Sequence, residues 1–157
     1  MKLDKKKLAK CIGIPLVAGG VSAFITKDSM EAFMALKQPP LSPPAWLFPV
    51  AWTTLYTLMG ISSYLTLTSD DDSQEVISTK VIYYAQLIVN FLWPTFFFNF
   101  GWRLFSFFWL LLLWGLVIIM IKRFAAVSKV AAALNIPYIL WLTFAAYLNF
   151  GVWWLNR

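Results

Sequence analysis

Three tryptophans, Trp52, Trp93 and Trp141, and three amides, Gln86, Asn90 and Asn149, stand inside long uncharged stretches of this chain. An indole offers a flat apolar face and a single N–H, which wants a partner once it is buried. A side-chain amide both donates and accepts. Together these groups can stack on a flat apolar molecule and fix its orientation. They can equally pack a bundle and bridge its helices, and for Trp52 and Trp141 cavity wall and plain packing both stand. Gln86 and Asn90 are four residues apart, so they share one helix face. Trp93 and Pro94 lie a turn further on. Amides inside a bilayer usually link neighbouring helices, at about 0.6–2 kcal/mol each; Asn149 carries the same two readings. Trp46, Trp102, Trp153 and Trp154 suit the interfacial belt instead, where aromatic rings lie at headgroup level.

Much chemistry is missing. The chain has no His and one Cys, which excludes Ser–His and Cys–His nucleophiles. Haem-iron ligation would fall to Met or Tyr, and no metal site is expected. Cys11 cannot form an internal disulfide. No ionisable side chain lies deep in an uncharged stretch, which counts against a proton- or ion-coupled pump but not against passive movement of an apolar molecule. The net charge is +6, yet the basic residues cluster before residue 11 and in the gaps between apolar runs. That pattern flanks a membrane and forms no continuous face for nucleic acid.

The elements that must position these groups follow from five uncharged runs, residues 11–26, 38–69, 81–102, 104–121 and 130–156, which cover 115 of 157 residues. A helix crosses about 30 Å of hydrocarbon with about 20 apolar residues. Hydrophobic residues make up 61% of the chain and charged ones 13%, against about half and a quarter in soluble domains. The reading is an all-α membrane protein, a single domain built as a bundle of five transmembrane helices at about 11–27, 45–67, 79–100, 104–123 and 130–155. Lys5, Lys6, Lys7 and Lys10 with Val21-Ser22-Ala23 also fit a cleaved signal peptide, but an apolar, Pro-rich chain follows, which favours the membrane reading. Gly19-Gly20 would let another backbone approach closely. Pro39, Pro40, Pro43 and Pro44 stiffen a first loop over 28–44, in which Asp28-Ser29 could cap a short interfacial helix from Met30 to Leu36. Asp70 to Glu75 reads as a solvated hairpin loop. Pro94 should bend the far end of the third helix and Pro137 falls inside the fifth. Phe105, Phe108, Trp109 and Leu112 form a lipid- or dimer-facing surface. Nine basic residues on one side against four on the other predict the N-terminus inside and the C-terminus outside.

Pro39-Pro40-Leu41-Ser42-Pro43-Pro44-Ala45-Trp46, then Val50-Ala51-Trp52-Thr53-Thr54-Leu55-Tyr56 and Met59-Gly60, resembles the loop and second helix of the translocator protein family, whose bacterial members are tryptophan-rich sensory proteins and which includes the peripheral benzodiazepine receptor. Gln86 with Asn90-Phe91-Leu92-Trp93-Pro94 resembles its third-helix motif. Pro137-Tyr138-Ile139-Leu140-Trp141 with Phe144-Ala145 and Leu148-Asn149 resembles its fifth. The resemblance covers nearly the whole chain and implies a five-helix bundle, usually a homodimer, in a bacterial cytoplasmic membrane. It also implies a pocket for porphyrins such as haem and protoporphyrin IX, or for other apolar small molecules, with loop 28–44 as its lid. Gly20, Pro44, Trp52, Tyr56, Asn90, Trp93, Trp141, Phe144, Ala145 and Leu148 would be ligand-binding. Gly19 or Gly20 would supply the close wall from the first helix. No cofactor is required. Trp52 and Trp141 match positions credited, in some bacterial members, with light-dependent porphyrin degradation, so carrier, photo-oxidative enzyme and non-catalytic stress-signalling protein all stay open. Family loops often read Lys-Pro-x-aromatic where this chain has Gln38, Pro39 and Leu41; Lys37 is the nearest substitute for a contact to ligand carboxylates. Phe150 and Trp154 break the cholesterol-recognition pattern after Leu148-Asn149, so cholesterol binding is not predicted.

Overall fold

The computed structural model describes residues 3–68 and 73–157, and the regular structure among these residues is all helical. Helix α1 (Lys5–Thr26) begins where the Asp4 carboxylate accepts from the Lys6 and Lys7 amides. This N-cap lets the helix start ahead of the expected residue 11. A tight turn at Lys27–Ser29 leads into the five-residue α2 (Met30–Met34). Ser29 makes no cap bond there; its hydroxyl donates instead to Asn99 Oδ1 at 2.6 Å. Helix α3 spans Leu47–Leu67 and α4 spans Gln74–Pro94, with the Ser73 hydroxyl accepting from Val76 N. Gln74 and Glu75 are therefore helical, and Asp70–Asp72 of the expected hairpin lie outside the described residues.

Pro94 supplies no N–H to the helix ladder. The backbone responds by widening over Thr95–Asn99, where Phe100 N donates to Thr95 O five residues back at 3.1 Å. Gly101, at φ +65, turns the chain into α5 (Arg103–Val127). The fifth apolar run divides into α6 (Lys129–Ala133) and α7 (Ile136–Leu155), separated at Leu134-Asn135. This corrects the expectation of one continuous helix. Pro137 occupies the first turn of α7, where a missing N–H breaks no bond.

Four helical stretches are long and apolar enough to cross a membrane: Lys5–Met34, Gln74–Asn99, Arg103–Val127 and Lys129–Leu155. Helix α3 is uncharged, but its Trp, Thr, Ser and Tyr residues lower its hydropathy, and many of these are the residues it buries. Helix α1 packs along α3 and touches α4; α4 packs along α5, and α5 along α7. The helices thus form an incomplete ring in the order α3, α1, α4, α5, α7, with α3 and α7 keeping their backbones apart. Small residues set the closest approach, as they must where lipid is as apolar as the helix surfaces. A Cβ on Gly60 would overlap the backbone of Ile12 and Cys11. Phe105, Phe108 and Leu112 face outward, but Trp109 does not join them: its Nε1 donates to Val89 O at 2.8 Å and its ring packs on Phe96.

Candidate functional site

The open seam between α3 and α7 is lined with aromatic rings because both helices place bulky residues where their backbones diverge. Trp52 stacks on Tyr56 one turn along α3, with centroids 5.5 Å apart, and meets Trp141 of α7 edge to face at 6.4 Å. Phe48 and Phe144 flank Trp141 at 6.0 and 5.8 Å. Outside these rings lies a groove of about 440 Å³ lined by Ala51, Thr54 and Leu55 of α3 and by Pro137, Leu140, Trp141 and Phe144 of α7. That volume is in the range of small-molecule sites. The walls are apolar even at Thr54, whose hydroxyl is spent on Val50 O at 2.9 Å.

Behind the rings runs a buried chain of hydrogen bonds. Tyr56 Oη donates to Asn90 Oδ1 at 2.8 Å, Asn90 Nδ2 donates to Tyr138 Oη at 2.6 Å, and Tyr138 Oη donates to Gln86 Oε1 at 2.9 Å. Gln86 Nε2 then points at Met59 Sδ, 3.3 Å away. Such a chain stiffens the floor of the seam, since breaking any link strands a buried polar group at about 1–3 kcal/mol. On the groove wall a donor stays unused. Trp141 Nε1 is buried and has no hydrogen-bond partner among the described residues. At the far end Ser62 Oγ donates to Ala131 O, and Asn135 Nδ2 donates to Ser62 Oγ, pinning α3 to the α6–α7 junction. The seam is closed there and splayed toward the first loop.

The sequence-predicted residues divide accordingly. Trp52, Tyr56, Asn90, Trp141 and Phe144 come together at the seam. Ala145 is buried and Leu148 half-buried on α7, outside the groove lining. Trp93 faces α7 elsewhere: its Nε1 donates to Asn149 Oδ1 at 3.1 Å, its ring stacks on Phe97, and Asn149 Nδ2 is held by Arg103 O. Pro44 is exposed ahead of α3. Gly20 is exposed, and a Cβ added there would meet nothing within 4 Å. The glycine that admits a partner is Gly19, where a Cβ would strike the Tyr56 ring. Sequence reasoning gave Tyr138 only as part of a motif, although it links the two amides. Its signal is the buried stripe Tyr138, Leu142, Ala145, Asn149, Val152, spaced four, three, four, three along α7.

Known proteins match almost the full length of the chain. Residues 11–155 fit the TspO/MBR family. The chain belongs to the TspO/MBR family. It is 37% identical to the tryptophan-rich protein TspO of Chlorobaculum tepidum over 95% of both chains. It is 36% identical to the translocator protein of Ovis aries, covering 85% of this chain and 80% of the sheep protein. It is also 37% identical to protein CrtK of Rhodobacter capsulatus, covering 88% of this chain and 86% of CrtK. Family membership and the apolar helices together make it a membrane protein. The seam opens on the outside of the bundle, while the interior between α1, α3, α4 and α7 is filled by Tyr56, Tyr138 and the amides.

Proposed function

We propose that this chain is a five-span receptor or carrier for a flat, largely apolar tetrapyrrole such as haem or protoporphyrin IX. The ligand is held at the α3–α7 seam in a bacterial cytoplasmic membrane, and no cofactor is needed. The observation that carries the reading is Trp141: its indole N–H is buried on the groove wall with no partner, a cost that a ligand acceptor would relieve. Trp52 and Trp141 supply stacking faces, and the bond from Tyr56 to Asn90 fixes the Trp52–Tyr56 pair. The Pro-rich first loop lies beside the splayed end as a lid.

The test is titration of purified protein in detergent with protoporphyrin IX, following tryptophan fluorescence, beside Trp141→Phe and Asn90→Ala. Saturable quenching is expected in the wild type, with affinity weaker by about tenfold in each variant. Unsaturable quenching, identical in all three proteins, would mean partition into the micelle and would end the proposal.

A second reading has its own support. Trp52 and Trp141 touch, so an excited porphyrin in the groove against them would, with dioxygen, meet two neighbouring oxidisable indoles, and the same site would promote photo-oxidative breakdown of its ligand. If illuminated, aerated porphyrin changes its spectrum equally fast with Trp52→Phe, that residue has no part in degradation.

A further inference from the structure

The opposite end of the bundle holds a second depression that the tetrapyrrole reading leaves unused. About 310 Å³ lies between the start of α1, the end of α3 and the first turns of α4, lined by Lys7, Lys10, Ser63, Leu67, Lys80 and Tyr83 among others, with no acidic side chain among the described residues of the lining. Two observations make it more than a gap between helix ends. The Tyr83 hydroxyl on its wall is buried, in a side chain only 2% exposed; the Ser63 hydroxyl beside it is spent on Gly60 O at 2.8 Å, and no described residue completes a well-formed hydrogen bond to Tyr83. Lys10 and Lys80 also mark the boundaries where α1 and α4 turn from charged to uncharged sequence, which begins at Cys11 and at Val81. The depression therefore lies at the level where hydrocarbon gives way to headgroups, with cations at its mouth and Ile14 and Leu67 on its sides.

We infer that this depression seats the headgroup of an acidic phospholipid. Lys10 and Lys80 face the phosphate, the Tyr83 hydroxyl donates to a headgroup oxygen, and the acyl chains run along the apolar flank formed by Ile14 and the half-exposed Tyr84. Depth and apolar walls favour a bilayer lipid over free phosphate, which needs no hydrocarbon beside its site. The inference is independent of the α3–α7 seam. Asp70–Asp72 follow Thr68 of the lining closely in sequence, so their charge is removed in a control variant.

The experiment is native mass spectrometry of the protein released from nanodiscs of mixed phosphatidylcholine and phosphatidylglycerol. The wild type should retain phosphatidylglycerol in preference to phosphatidylcholine. Lys10→Gln with Lys80→Gln should lower that preference about tenfold or more. Lys122→Gln with Lys129→Gln removes the same charge elsewhere and should leave it intact. Tyr83→Phe should weaken it while the melting temperature holds. Equal losses in the two double-lysine variants would reduce the effect to the general field and overturn the site. So would displacement of the lipid by inorganic phosphate, which would mark a soluble-anion site. No preference in the wild type, with or without one appearing in Asp70→Asn, Asp71→Asn, Asp72→Asn protein, would overturn it as well.

Discussion

Trp141 and Tyr138 are three residues apart on α7, and truncating each should have opposite consequences for stability. Tyr138 Oη both accepts from Asn90 and donates to Gln86, so Tyr138→Phe strands an amide donor and an amide acceptor in the core. It is expected to cost about 1–3 kcal/mol, read as a lowered melting temperature in detergent. Trp141 Nε1 bonds to nothing among the described residues, so Trp141→Phe removes an unsatisfied donor and should leave the melting temperature of the ligand-free protein unchanged or raised. Under the proposed function the same substitution should weaken porphyrin binding, and a residue that costs stability while serving a ligand is the signature of a binding site. A melting temperature lowered as far by Trp141→Phe as by Tyr138→Phe would make Trp141 an ordinary packing residue. Sequence made part of this visible. The i, i+4 spacing of Gln86 and Asn90 is a local fact, and both are indeed buried on one face of α4. That a tyrosine from α7 joins them is a fact of packing between helices, which periodicity along one helix does not contain. The same holds for the choice between Gly19 and Gly20: both are small, and only the direction of Tyr56 decides.

At the level of elements, the apolar runs located the helices and misplaced several ends, because ends are set by single side chains. Asp4 carries α1 back to Lys5, and Ser128, in extended backbone with its hydroxyl accepting from Ala131 N, starts α6 anew. Asn135 ends it, its side chain bonded to Ala131 O and Ser62. An Asn in the middle of an apolar run looks like a tolerated polar residue until its partner on α3 is known. The first loop was legible as stiff from its prolines, but its docking was not. Lys37 N donates to Asn156 Oδ1, Asn156 Nδ2 donates to Lys37 O, and Tyr147 Oη donates to Pro40 O at 2.7 Å, while Pro39 fills the space left by Gly151. The loop is thus latched to α7, the helix that bears Trp141. Tyr147→Phe with Asn156→Ala should free it, raising amide hydrogen exchange at Lys37 and Gln38 by about tenfold or more with α7 itself unchanged. Unchanged exchange there would show that the prolines alone hold the loop.

Across the whole molecule the contacts sort the helix ends into two layers. Asp4 N donates to Tyr64 Oη, Arg123 reaches the Ser78 hydroxyl, and Ser62 meets Ala131 and Asn135. The start of α1, the end of α3, the start of α4, the end of α5 and the α6–α7 junction therefore share one layer. The first loop, the Asn99–Arg103 turn and the C-terminus share the other, as the bonds of Ser29 to Asn99 and of Asn156 to Lys37 require. Helix α3 runs the full distance between the layers beside α1, so if α1 and α4 cross the bilayer, α3 crosses too. Its low hydropathy is no obstacle. Thr54, Thr57, Ser63 and Thr66 each donate to a carbonyl three or four residues back on the same helix, which hides hydroxyls that a hydropathy sum counts as wet. The proposed five crossings would put the termini on opposite sides, and the excess of Lys and Arg in the N-terminal layer predicts that layer inside. In a Cys11→Ser background, Leu41→Cys should react with a membrane-impermeant maleimide added to intact spheroplasts, since Leu41 is 84% exposed on the first loop. Ala126→Cys, at the exposed end of α5, should react only after the membrane is opened. The reversed pattern would keep five crossings and invert the orientation. Labelling of both from the same side would remove one crossing, and α3 is the helix on which that result would fall.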